Sequence, residues 1–194
     1  VTSPQPPGDL DGREPNLFRL SPGDILHRFH AKDRDPIHFD QSDAGRLNAR
    51  DGSYGVLYTA QNPLGAFAET FLRSPGRRLI DPGLLARKAY ARLEVLEPMT
   101  LIDFDGPGLA ILGATAEVVH GPLPYDLPQT WSAALKAHPI KAQGVAYGAR
   151  HDPHEICLAL FDGAPLRVQA IDANLDQDWF WDLADIYKVG RAPT

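Results

Sequence analysis

The chain has 194 residues, 43% of them hydrophobic and 23% charged, which is ordinary globular composition with enough length for a real core. A formal charge of −6 argues against a nucleic-acid surface, which wants a basic face, and leaves room only for a locally basic pocket. A lone cysteine, Cys157, forbids an internal disulfide and fits a reducing cytosol; no signal peptide, membrane-length apolar run, repeat or heptad pattern is visible.

Residues 1–15 are rich in Pro, Gly and Asp and read as a flexible arm, followed by a single domain over 16–194. Leu17–Leu20 and Ile25–His30 read as strands, the second carrying Arg28 between His27 and Phe29. Residues 32–44 form a polar loop with a short extended piece at Pro36–Phe39. The stretch from Gly45 to Arg73 then concentrates the polar candidates. Ser53–Ala60 is a buried strand by its Tyr, Val and Thr content. Asn62 caps and Pro63 opens a helix to about Arg73, in which Leu64, Phe67, Ala68, Phe71 and Leu72 share a face. Glu69 falls roughly 60° off that stripe at about 100° per residue, with the small Gly65 and Ala66 one turn earlier. Position alone leaves two readings of Glu69: a solvated helix surface, or a carboxylate with space beside it for a ligand.

Ser74-Pro75-Gly76 closes that helix. Asp81 caps a short helix from Pro82 to about Ala89. Tyr90–Val95 and Met99–Asp103 read as strands, Gly106–Gly113 as a turn and a helical piece, and 120–128 as a Pro-rich loop. Residues 128–137 form an amphipathic helix with Trp131 and Leu135 on one face. Gly144–Ala149, Glu155–Phe161 and Arg167–Ile171 are strands, with a turn over 150–154 and a C-terminal helix beyond. Strands linked by turns predict a mixed α+β fold on a partly antiparallel sheet. No G-x-G-x-x-G, Walker loop or G-x-S-x-G is present.

His151, His154 and Cys157 are spaced by three, which in a strand points them to opposite faces and disfavours a metal site. Cys157 in ICLALF reads as a small core residue. Arg28, Arg46, Tyr58 and Glu69 remain: forks for a diphosphate, a flat ring for stacking, and a carboxylate for a sugar hydroxyl or a developing positive charge.

Seven stretches occur in the order of a known family: HRFH (27–30), DPIHF (35–39), GRLNA (45–49), YGVLYTAQNPLGAFAET (54–70), LIDFDGPGLAILG (101–113), QTW (129–131) and GVAYGARHDPHEICLALFD (144–162). Through these the chain resembles the RES-domain proteins. The resemblance implies an ADP-ribosyltransferase-like fold with a largely antiparallel sheet and short flanking helices. It further implies NAD as substrate, inorganic phosphate as acceptor in the NAD phosphorylases of the family, no metal, and an Xre-type antitoxin as partner in the cytoplasm. Other members resemble protein ADP-ribosyltransferases. Carried over by position, the family's Arg falls on Arg28 and its Glu on Glu69, while Arg46 and Tyr58 match further NAD-pocket positions. The family's Ser falls on Ala149, in Tyr147-Gly148-Ala149-Arg150, where the hydroxyl is missing. Loss of one hydrogen bond to developing charge is worth roughly 1.5–3 kcal/mol, about ten- to a hundred-fold in rate. The resemblance therefore also admits an attenuated domain that binds NAD or antitoxin alone.

Overall fold

A computed structural model describes residues 4–73, 76 and 78–193 of the chain. Ser74 and Pro75 of the expected helix-closing turn, and the first three residues of the expected arm, lie outside the described residues.

One eight-stranded sheet forms the body. Its strands are β1 (Leu17–Leu20), β2 (Ile25–Ala31), β3 (Val56–Ala60), β5 (Lys88–Val95), β6 (Met99–Asp103), β7 (Gly144–Ala149), β8 (Asp152–Phe161) and β9 (Leu166–Asp172), in the spatial order β1-β6-β7-β8-β3-β2-β5-β9. Every neighbouring pair is antiparallel except β6 with β7. A small parallel pair, β4 (Leu79–Ile80) with β10 (Gly190–Arg191), stands apart. The expected mixed, largely antiparallel α+β architecture is present.

Strand alternation separates two cores. On β3, Val56 and Ala60 are buried under α1 (Pro63–Phe71), α5 (Asp126–Ala137) and α6 (Asp178–Ile186), where Phe67, Trp131 and Phe180 are fully enclosed. Leu57 faces the other way, with Leu26, Leu93, Leu101, Leu158 and Leu160, and Ile37 and Phe39 of the 32–44 loop close that side. The remaining short helices are α2 (Pro82–Ala86), α3 (Gly106–Leu112) and α4 (Glu117–His120).

Several expectations shift. The segment 4–15 is packed rather than free: Leu10 is buried, Trp131 Nε1 donates to the Pro4 carbonyl at 2.7 Å, and His138 Nε2 lies 3.2 Å from the carbonyls of Leu10 and Arg13. Its polar composition hides these backbone acceptors, which satisfy two buried ring nitrogens. Asp81 caps α2 as expected, accepting from the amides of Gly83 and Leu84, whereas Asn62 is extended but makes no side-chain cap bond. Helix α1 ends at Phe71 and α2 at Ala86, because β5 begins at Lys88 to pair with Ala31. The 120–128 stretch is bounded by helix on both sides, Pro128 sitting in the first turn of α5 where its missing N–H is tolerated. Pro36–Phe39 is not a strand; the loop's one β-bridge to the sheet is Asp40–Val56.

Strands β2 and β3 pair at a single position, His27 with Ala60. Antiparallel register would next oppose Arg28 to Thr59 and Phe29 to Tyr58, but none of these pairs. The sheet forks there, and the fork is where the candidate residues gather.

Candidate active site

A cleft of about 620 Å³ occupies the fork, and Arg28, Phe29, Tyr58 and Thr59 all line it, together with Arg46 and Glu69. The four sequence candidates from three separate segments therefore share one cavity. Six cations line it (Arg28, Arg34, Arg46, Arg73, Lys88, Arg150) against three carboxylates (Asp33, Asp40, Glu69), so an acidic chain presents a positive cleft. That balance suits an anionic ligand.

Arg28 stays in the β2–β5 ladder opposite Ala91 but has no partner on β3. It is half-buried, and desolvation pulls its pKa down to about 10, partly offset by Asp40 and Asp35. Its Nη1 donates to the His38 carbonyl at 3.4 Å, and among the described residues it joins no ion pair. The other donors of its fork are available to a ligand. Arg46 is braced by Nη1 donating to the Val119 carbonyl and by lying 5.2 Å over the Tyr125 ring, while its Nε is buried without a partner. An orphan guanidinium N–H in a cleft wall is an expensive feature unless a ligand completes it.

Tyr58 gives its hydroxyl to the scaffold. Its oxygen accepts from the Leu47 amide at 2.8 Å and its proton goes to Asn48 Oδ1 at 2.9 Å, which fixes the loop that carries Arg46. Burial holds its pKa above the ordinary phenol value. Only the ring is free to meet a ligand.

Glu69 is half-buried on α1, and its Oε1 accepts a hydrogen bond from the Arg150 amide at 2.9 Å. Of its two small neighbours, Ala66 lines the cleft, but Gly65 serves packing: a Cβ there would stand 3.1 Å from Ala60 Cβ and 3.3 Å from Glu155 Cβ. Ala149 is fully buried at the end of β7, where the β7–β8 register slips, and is not part of the cleft's lining. It immediately precedes the Arg150 amide that holds Glu69.

Sequence reading did not single out Arg34, Arg73, Lys88 or Arg150, and weighed His151 only as a metal ligand. The signals were faint: Arg73 sits four residues after Glu69, and its Nε donates to the Glu69 carbonyl at 2.9 Å, while Arg150-His151 follows directly on β7. His27 also reaches the cleft. It shares a 2.5 Å hydrogen bond with Tyr90, and burial, then Arg92, push its pKa down to about 4. His151, which lines the cleft, and His120 are likewise lowered, chiefly by burial. Among the described residues, no group of three or more His, Cys, Asp or Glu is placed to hold a metal, and no helix is long and apolar enough to cross a membrane. His154 is exposed while Cys157 is buried in β8, its Sγ 3.8 Å from the Gly65 carbonyl, and burial raises its thiol far above the reactive range.

The sequence profile of the family described as the RES domain matches residues 21–182. No curated protein matches the chain. Among solved structures, the crystal structure of the M. tuberculosis MbcT–MbcA toxin–antitoxin complex contains a similar fold: 13% identity, TM-score 0.63, covering 86% of this chain and 92% of that one.

Proposed function

The chain belongs to the RES domain family, and from that premise we propose that it is an NAD-consuming toxin of a toxin–antitoxin pair, cleaving the nicotinamide–ribose bond with phosphate as acceptor. The observation that carries the reading is the Glu69 carboxylate, fixed by the Arg150 amide on the wall of a cationic cleft that also holds Arg28, Arg46 and the Tyr58 ring. The partner in this reading is an Xre-type antitoxin, and the likeness to a chain of a toxin–antitoxin complex supports an antitoxin of some kind.

The chemistry follows from those groups. The C1–N bond to nicotinamide lengthens first, and the ribose takes on oxocarbenium character, as in glycoside cleavage. Glu69 accepts a hydrogen bond from the ribose and stabilises the developing positive charge. Arg28 and Arg46 grip the diphosphate, and the Tyr58 ring packs on nicotinamide. A phosphate oxygen forms the new C1–O bond while the C1–N pair leaves with nicotinamide and neutralises its ring charge. No proton transfer is needed for the bond exchange when phosphate attacks as its dianion.

Ala149 favours a second reading, a domain attenuated at the family's Ser position that binds NAD or antitoxin with little turnover. A protein side chain as acceptor is the third. Nicotinamide release from NAD, with and without phosphate, separates them. Phosphate-dependent release supports the phosphorylase. Binding without release supports the attenuated domain. Label transferred from NAD to a protein supports the ADP-ribosyltransferase, and no NAD binding at all overturns the proposal.

A further inference from the structure

The cations of the cleft fall into two groups. Arg46 and Arg150 belong with Glu69, whose carboxylate the Arg150 amide holds, and all three charges act on His151. The second group surrounds the end of β2. Ala31 closes that strand, Lys88 is its register partner on β5, and the Arg34 amide donates to the Ala31 carbonyl at 3.1 Å. Arg34 and Lys88 both line the cleft, as does Arg73 from the residues following α1. Burial, then the charges of Arg73, Arg28, Arg87 and Arg34, pull Lys88 below the ordinary lysine range, and no carboxylate is among the causes. Among the described residues, Arg34, Arg73 and Lys88 join no ion pair. Asp33 lines the cleft beside them and leaves the group net positive.

Like charges gathered this closely repel, and an anion seated between them removes the penalty. Arg28 borders this cluster, since its charge acts on Lys88, but one diphosphate held by Arg28 and Arg46 leaves Arg34, Arg73 and Lys88 unengaged. We propose that Arg34, Arg73 and Lys88 form a second phosphate subsite of the cleft, separate from the diphosphate grip. Its ligand is a tetrahedral phosphate, either free inorganic phosphate or an additional phosphoryl group on the dinucleotide, such as a 2′-phosphate. The separation of the two sites rests on the NAD reading; the existence of the phosphate site does not.

The test is calorimetric titration of the full chain with inorganic phosphate, NAD and 2′-phosphorylated NAD, in the wild type and in the Arg34→Ala/Lys88→Ala variant. Arg34 is exposed and Lys88 half-buried at a strand end, and thermal unfolding checks that the variant folds. Affinity for inorganic phosphate should fall about tenfold more than affinity for NAD, as loss of charge-assisted contacts requires. Phosphate binding that persists on the NAD-saturated protein identifies free phosphate as the ligand. A preference for 2′-phosphorylated NAD that disappears in the variant identifies the phosphoryl group. Unchanged affinity for phosphate and both dinucleotides in the variant, or displacement of phosphate by NAD alone, overturns the subsite. Phosphate binding that depends on Arg34 and Lys88 in a protein that never binds NAD sinks the NAD reading and leaves the subsite standing.

Discussion

The Arg150 amide and the Glu69 carboxylate meet at 2.9 Å, joining the end of β7 to the face of α1 across 81 residues of chain. Tyr187 braces both partners of that contact. Its ring stacks on Phe67 of α1 at 5.7 Å with the planes 5° apart, and its hydroxyl donates to Asp152 Oδ2 at 2.8 Å, two residues beyond Arg150. Tyr187 caps the C-terminus of α6, just past the last residue of the family match. On the proposed function it is a positioning residue. Tyr187→Phe keeps the stack and removes the bond, and should lower kcat for nicotinamide release about three- to tenfold with little change in KM. A loss of melting temperature with kcat intact would make the bond merely structural.

Tyr58→Phe separates the ring from the hydroxyl. The ring stays for the ligand, while the Leu47 amide and Asn48 Oδ1 both lose their partner. Because these groups are buried, unfolding free energy should fall by about 1–3 kcal/mol. Denaturant unfolding measures that loss. Arg46, carried by the same loop, should grip NAD less tightly, which appears as raised KM.

Ala149→Ser restores the hydroxyl that the resemblance assigns to this position. Ala149 shares a buried cluster with Tyr147, whose side chain lines the cleft, and its neighbour holds Glu69. If the hydroxyl acts in the transition state, nicotinamide release should rise about tenfold or more. An unchanged rate with lowered stability would mean only that a hydroxyl had been buried without use.

His27 sets a pH signature. Its folded-state pKa of about 4 lies below the ordinary value, so above pH 6.5 both folded and unfolded states hold it neutral. As pH falls from 6.5 towards 4, the unfolded chain takes the proton and the folded one does not, so stability is lost across that window. Partial exposure limits the effect to on the order of 1–2 kcal/mol. Unfolding curves of His27→Gln should be flatter than wild type between pH 6.5 and 4.

Most strands were legible because alternation and β-branched content mark them, and β1, β6 and β7 fall at their expected bounds. The four candidate residues were legible as types in suggestive places: Arg28 flanked by His27 and Phe29, and Glu69 off the apolar stripe of α1. What brought them together was not. The cleft exists because β2 and β3 stop pairing after one position, a consequence of tertiary packing that leaves no periodic mark. Arg34 and Lys88 carry no mark in the sequence because their proximity depends on the β2–β5 register. The N-terminal segment looked mobile because its anchors are backbone carbonyls, which composition does not reveal.

The most direct measurement is nicotinamide release from NAD by wild type and Glu69→Gln, with NAD affinity measured alongside. Gln keeps an Oε1 that can accept from the Arg150 amide, so the fold and the contact persist while the charge is removed. The account predicts a fall in kcat of about a hundred- to a thousandfold with NAD affinity nearly unchanged. Release at the wild-type rate by Glu69→Gln would contradict it.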